Sequence, residues 1–192
     1  MVERIARAAL PRRGHIVVLN GTSSAGKSSV AKALQARRPH QHVQLDVFRA
    51  MEPAGHWEHR EQWPLRLAAL CRAMHASCAA YADHGLHVVL DHALTPDAWH
   101  YLVEDLAGHT VYLVGVHCPV DEAARREQAR GDRPIGLAAS QAAWIHAGPA
   151  YDFSVDTRAA TPEACADALA HWLSGTPAPA TFGRLRAGDA AP

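Results

Sequence analysis

Gly21-Thr22-Ser23-Ser24-Ala25-Gly26-Lys27-Ser28-Ser29 places a lysine and a hydroxyl at the end of a glycine-bracketed run and matches GxxxxGK[ST]. The stretch His15-Ile16-Val17-Val18-Leu19-Asn20 reads as a strand leading into it, and Val30 to Arg37 reads as a helix leading out. Such glycines let the backbone wrap phosphates, while exposed amides and a helix N-terminus supply positive potential. Lys27 would neutralise the outer phosphates, and Ser28 is the expected Mg²⁺ ligand. The segment Gly21 to Ser29 is therefore expected to grip a nucleoside triphosphate, ATP being the ligand expected.

Two carboxylates are candidates for work beside those phosphates. Asp46 closes Val43-Gln44-Leu45-Asp46 and Asp91 closes Val88-Val89-Leu90-Asp91, both read as strand ends. Either could take a proton from an acceptor hydroxyl or, through water, hold the metal. Spacing alone does not assign the roles, and capping of the following helix competes with both. Arg126, Arg130 and Arg133 recur at i, i+4 and i+7, so a helix would line them up as a phosphate-facing stripe beneath a lid. The blander account pairs Asp121 with Arg125 and Glu122 with Arg126 along the same helix.

The stretch from Val47 to Pro64 holds Phe48, Met51, His56, Trp57, His59 and Trp63. An acceptor pocket and ordinary core packing explain this aromatic density equally well. As a pocket, its contacts would be Phe48, Met51 and Trp57, with Asp91 and His92 at the strand end. The pairs His40/His42 and His56/His59 have metal-compatible spacing, but fourteen histidines make chance pairs expected, so no structural zinc is predicted.

These residues need a scaffold, and the pattern supplies an α/β one. Strands are expected at His15 to Asn20, Val43 to Asp46, His87 to Asp91, Thr110 to Val116 and Phe153 to Val155. Helices are expected at Lys27 to Arg38, Leu65 to Asp83, after Pro96, after Pro119 and at Pro162 to Ser174. The alternation predicts a parallel five-stranded sheet of P-loop NTPase type, with helices on both faces and a helical lid. Gly21 to Ser28, Asp46 and Asp91 then share the carboxyl edge of the sheet. The expected organisation is a basic, flexible leader (1–14), one P-loop domain (15–174) and a disordered Pro/Ala/Gly-rich tail (175–192).

The 192 residues suit one domain, and 19 basic against 19 acidic side chains give no broad attraction for nucleic acid or an anionic membrane. No apolar run has the length of a membrane span, and the first residues lack a signal-peptide core. Cys71, Cys78, Cys118 and Cys165 form no CxxC pair and fit reduced thiols in a cytoplasm. A homo-oligomer stays open.

From Tyr112 to Thr157 the chain contains Val114-Gly115-Val116-His117-Cys118, Arg126-Glu127, Ala129-Arg130-Gly131-Asp132-Arg133, Gln141-Ala142, His146, Gly148, Tyr151-Asp152 and Val155-Asp156-Thr157. Together with the loop at Gly21 to Ser28, this resembles chloramphenicol 3-O-phosphotransferase and its relatives. The resemblance implies that Asp46 deprotonates the acceptor hydroxyl while Lys27 and Ser28 hold phosphates and Mg²⁺. It further implies that Arg130 and Arg133, with Arg126 beside the nucleotide, belong to the lid. Asp156 and Thr157 fall where such kinases shape the adenine pocket, a locus that helix capping by Thr157 or Thr161 explains as well. His146 and Tyr151 match without a role of their own and read as structural residues fixing the lid segment to the sheet. In the family pattern a Ser follows the base and a second Asp follows the strand-end Asp; Val47 and His92 stand here. The expected function is ATP-dependent phosphorylation of a hydroxyl on a small molecule, chloramphenicol or another antibiotic among the acceptors, giving resistance by inactivation. A nucleotide, sugar or RNA-end kinase and a non-catalytic ATP-binding switch are the alternatives.

Overall fold

The computed structural model describes residues 11–53, 55, 60–131, 135–148 and 150–187. Five parallel strands, β1 (His15–Asn20), β2 (His40–Gln44), β3 (His87–His92), β4 (Thr110–His117) and β5 (Phe153–Asp156), lie in the order β2-β3-β1-β4-β5. The helices are α1 (Lys27–Gln35), α2 (Leu45–Ala50), α3 (Trp63–Asp83), α4 (Pro96–Asp105), α5 (Val120–Arg130), α6 (Leu137–Ala142), α7 (Pro162–Ser174) and α8 (Ala180–Ala187). None is long and apolar enough to cross a membrane among the described residues.

Alternate residues of β1 feed two separate cores, which is why its sequence is a continuous apolar run rather than a polar-apolar alternation. Ile16 and Val18 pack with Met74, Cys78, Leu102 and Phe182 on one face, while Val17 and Leu19 pack with Val30, Leu34, Leu169 and Leu173 on the other. Thr95 and Thr161 start α4 and α7 by accepting from Ala98 N and Ala164 N at 3.2 Å, each followed by a proline at the first helical position.

The structure departs from the sequence pattern at β2, which begins at His40 rather than Val43, at the end of the expected leader, where Gly14 N donates to the Ala82 carbonyl (2.7 Å), at Asp46 and in the tail. Asp46 does not end a strand: β2 stops at Gln44 and Asp46 lies in the first turn of α2. Leu45 and Phe48, three apart, both pack against the first core, so a helical turn buries both where a strand would bury only one of opposite faces. The expected disordered tail carries α8, where Phe182 and Leu185 join that same core. Asp152 fastens the segment, one carboxylate oxygen accepting from Leu113 N (2.8 Å) and the other from Thr181 N (2.9 Å). Residues 1–10 of the expected leader and 188–192 of the tail lie outside the described residues.

Candidate active site

A cleft of about 530 Å³ opens at the carboxyl edge of the sheet, where β1 and β3 deliver the Gly21–Ser28 loop and Asp91 side by side. Gly26 occupies the left-handed region (φ 94°) because the chain must reverse into α1 there, and a Cβ would lie 3.3 Å from Thr157 Cγ2. The α1 N-terminus has no side-chain cap, leaving its amides directed to the cleft. Lys27 is buried and donates through Nζ to the carbonyls of Gly21 and Thr22, both at 2.8 Å. The hydroxyl oxygens of Thr22 and Ser24 are buried without a hydrogen-bond partner among the described residues. Buried polar atoms normally find partners, so this loop suits an oxygen-rich ligand.

Ser28 Oγ donates to Asp91 Oδ2 at 2.5 Å, and Lys27 Nζ lies 4.0 Å from Asp91 Oδ1. His42 Nε2, on the neighbouring strand, stands 3.9 Å from Asp91 Oδ2, too long for a hydrogen bond. Burial by itself would raise the Asp91 carboxyl, but the imidazole edge of His42, the Lys27 ammonium and the Ser28 hydroxyl together outweigh it and hold Asp91 below its ordinary value. Asp91 is thus an ionised carboxylate beside a hydroxyl, a pair of hard oxygen donors that fits Mg²⁺. No cluster of three or more His, Cys, Asp or Glu among the described residues could hold a metal, so phosphate and water would have to complete an octahedron here.

Asp46 lines the same cleft with Gln44 and Leu45. Gln44 pairs in register with Asp91, so Asp46 stands two residues beyond the Asp91 level. Its side chain is 47% exposed, and Arg49 Nη1 lies 4.0 Å away while the Arg49 guanidinium stacks over Trp63. Asp46 is therefore solvent-reachable where Asp91 is enclosed.

The far wall comes from α5 and α6, with Arg125, Arg126, Ala129, Arg130, Leu137 and Gln141 lining the cleft. Arg126 is held in place: Nε donates to Glu122 (2.7 Å), Nη1 to Thr157 Oγ1 (3.0 Å) and Nη2 to the Thr157 carbonyl (2.9 Å). Thr157 Oγ1 in turn donates to the Ala25 carbonyl at 2.7 Å, so it links the loop to α5 and does not cap a helix. The predicted Glu122–Arg126 pair forms, whereas Asp121 turns to Arg158 and Glu122 takes Arg125 as well. Asp156 accepts from Arg158 N at 2.8 Å and orders the turn after β5. With Lys27, these arginines give the cleft four basic side chains against Asp46 and Asp91, an excess suited to a polyanion.

Two devices fasten this wall. Glu127 is buried (1% exposed), and its carboxylate accepts from Gly136 N (2.7 Å) and Ala138 N (2.9 Å), tying the start of α6 to α5. Asn20 Nδ2 donates to the Ile145 carbonyl and to Tyr151 Oη, both at 2.8 Å, while Asn20 Oδ1 accepts from Leu94 N. Burial, aided by His117 and Lys27, lowers His146 to about 4, and its Nδ1 lies in hydrogen-bond contact with Tyr151 Oη at 2.7 Å. Gly115 leaves room for this ring, since a Cβ there would lie 2.5 Å from Tyr151 Cδ2. His146 and Tyr151 thus join the segment after α6 to the sheet.

Lys27, Ser28, Ser29, Asp46, Asp91, His92, Arg126, Arg130 and Thr157 converge on one cleft. Phe48 packs against the core instead, and Met51 stands 67% exposed outside the cleft lining. Trp57 and Arg133 lie outside the described residues. Asn20, His42, Glu127 and Gln141 carry contacts that sequence reasoning did not assign. Glu127 sits in a run of charged residues with no mark of burial, whereas an Asn closing an apolar strand before the loop was a usable signal.

Comparison with known proteins agrees with this architecture. The model of the family described as chloramphenicol phosphotransferase-like protein matches residues 14–174. A protein of Mycobacterium tuberculosis provisionally named an O-phosphotransferase is 34% identical, the match covering 95% of this chain and 92% of that protein. Among solved structures, an unliganded sugar kinase from Janibacter sp. HTCC2649 shares 22% identity (TM-score 0.63), covering 88% of this chain and 99% of that one. APS kinase of M. tuberculosis, solved with AMPPNP and APS, shares 21% (TM-score 0.61; 85% and 99%). Shikimate kinase from Acinetobacter baumannii, solved with shikimate, shares 11% (TM-score 0.60; 86% and 96%). These likenesses establish the fold.

Proposed function

This chain belongs to the chloramphenicol phosphotransferase-like family, and on that premise we propose that it is an ATP- and Mg²⁺-dependent kinase that phosphorylates a hydroxyl of a small molecule. The observation that carries the reading is the placing of a solvent-reachable Asp46 and an enclosed Ser28–Asp91 pair in one cleft with the Gly21–Ser28 loop. The two carboxylates then divide the labour by environment: Asp91 stays ionised at the metal position, and Asp46 faces the incoming acceptor.

Ser28 and Asp91 would hold Mg²⁺, which when bound neutralises charge on the β- and γ-phosphates. The loop amides and the α1 N-terminus bind phosphate oxygens, and Lys27 exchanges its Gly21 and Thr22 carbonyls for them. Asp46 accepts the proton of the acceptor hydroxyl as its oxygen forms the new O–P bond. The bond between the γ-phosphorus and the β,γ-bridging oxygen breaks, and ADP leaves with that electron pair. Arg130, with Arg133 by its position in the chain, spreads charge over the transferring group, while Arg126 and Thr157 border the nucleotide. Chloramphenicol or another hydroxylated antibiotic is the acceptor favoured by family membership, and its phosphorylation would add about 1.5–2 negative charges and block a fitted target site. The free cysteines, three of them buried, suit a reducing cytoplasm.

The test is incubation of the protein with ATP, Mg²⁺ and a panel of acceptors comprising chloramphenicol, other antibiotics, sugars and nucleosides, read by mass spectrometry. A product heavier by one phosphoryl group is expected, and Asp46→Asn should lower its rate by about 10²- to 10⁴-fold, the usual worth of a general base. Tight ATP binding with no acceptor phosphorylated would make the chain a nucleotide-binding switch instead.

A further inference from the structure

Two donors of the loop, Ser23 N–H and the Lys27 ammonium, are already engaged in this structure. Ser23 N–H donates to Gln141 Oε1 at 2.6 Å, and both residues line the cleft. Lys27, as described, is turned back onto two loop carbonyls. A side-chain amide oxygen on a backbone donor of a phosphate-binding loop is the neutral counterpart of a phosphate oxygen.

Gln141 reaches this position because α6 is fastened at both ends. Glu127 binds the amides of Gly136 and Ala138 before and at its start, and Asn20 binds the Ile145 carbonyl beyond its end. The Gln141 carbonyl accepts from Trp144 N (3.1 Å) and Ile145 N (2.9 Å), so its backbone is held as well. These bonds hold the Gln141 backbone beside the loop, with its side chain within reach of Ser23 N–H.

We propose that Gln141 is a latch on the phosphate loop: its amide oxygen holds Ser23 N–H until a phosphate oxygen of an incoming nucleotide takes over that donor and releases Gln141. The inference rests on the nucleotide-binding reading above and adds to it a coupling between loop occupancy and α6. The latch competes with the nucleotide, so its removal strengthens binding. A Gln141 that instead contacted the bound nucleotide would give the opposite sign.

The experiment titrates Mg²⁺–ATP and Mg²⁺–ADP into the wild type, Gln141→Ala and Gln141→Glu by calorimetry, with melting curves as the control for folding. Gln141→Ala is expected to bind about three- to tenfold more tightly, the net worth of one exchanged hydrogen bond. Gln141→Glu is expected to bind more weakly and with greater salt dependence, because a carboxylate on the same donor competes as an anion. Hydrogen–deuterium exchange supplies a second readout: without nucleotide, peptide 21–26 exchanges faster in Gln141→Ala than in the wild type, and at saturation the two coincide. In the wild type alone, saturation speeds exchange across 137–146, a result that needs no variant to fold. Weaker or unchanged binding by Gln141→Ala, or no change across 137–146, overturns the latch while leaving nucleotide binding intact. Absence of binding in both wild type and Gln141→Ala overturns the nucleotide reading and the latch with it.

Discussion

Ser28 Oγ donates to Asp91 Oδ2 at 2.5 Å across the junction of β3 with the α1 N-terminus, 63 residues apart in the chain. The contact sets a loop hydroxyl against a carboxylate that Lys27 and His42 also face. It sets two hard oxygen donors side by side at the loop, a combination that would suit a divalent cation next to bound phosphates.

Asp91→Asn removes the charge and keeps the shape. Apparent Mg²⁺ affinity, read as activity against Mg²⁺ concentration, should weaken by about 10- to 100-fold, and excess Mg²⁺ should restore part of the activity. Asp46→Asn, by contrast, should not respond to added Mg²⁺. Identical Mg²⁺ profiles for the two variants would remove the division of roles.

Glu127 is the buried tie between α5 and α6. Glu127→Ala leaves two amides without their acceptor and should cost about 1–3 kcal/mol in stability. Limited proteolysis should then cut faster between α5 and α6 than in the wild type. A variant with unchanged melting temperature and proteolysis would show the tie to be dispensable.

Stability should fall on mild acidification. His15, His40 and His87 begin three neighbouring strands, with His15 Nε2 3.1 Å from His40 Nε2 and the His15 and His87 rings stacked at 3.9 Å. Burial, with His87, His40 and Arg38 nearby, lowers His15 from 6.5 to about 3; burial, with His87 and Arg38, lowers His40 to about 4. Below the ordinary value the unfolded chain takes up protons that the folded protein refuses, so stability rises with pH across this window and is lost as pH drops from about 6.5 toward 4. His92, lowered to about 3, and His146, to about 4, act in the same direction. Denaturant midpoints at pH 7.5 and 5.0 check this, and His15→Leu should flatten the difference; an equal slope in that variant would count against the cluster.

Phe182 is 2% exposed on α8, beyond the residues that match the family model. Phe182→Ala should cost about 3–5 kcal/mol, and a chain ending at residue 175 should lose a comparable amount. Urea unfolding measures both. Wild-type stability in the shortened chain would mean that α8 contributes nothing to the core.

The phosphate loop, the parallel α/β order and most element boundaries were legible in the sequence because they rest on local signals. Glycine spacing, apolar runs and Thr-Pro helix starts act within a few residues, and β1, α7 and the start of α1 fall where those signals place them. Asp46 was legible as a candidate but not as a helical residue, since only the core beneath Leu45 and Phe48 favours the turn. The tail misled for a similar reason: Pro and Gly suggest disorder locally, while the surface that buries Phe182 is built by α4 and β4. Tertiary structure alone decided which carboxylate is enclosed and which is open, because burial and the approach of Lys27, Ser28 and His42 come from different strands and helices. It alone brought Gln141 to Ser23 across 118 residues. The candidate residues were written in the chain; their different environments depend on distance and dielectric, which exist only once the chain has folded.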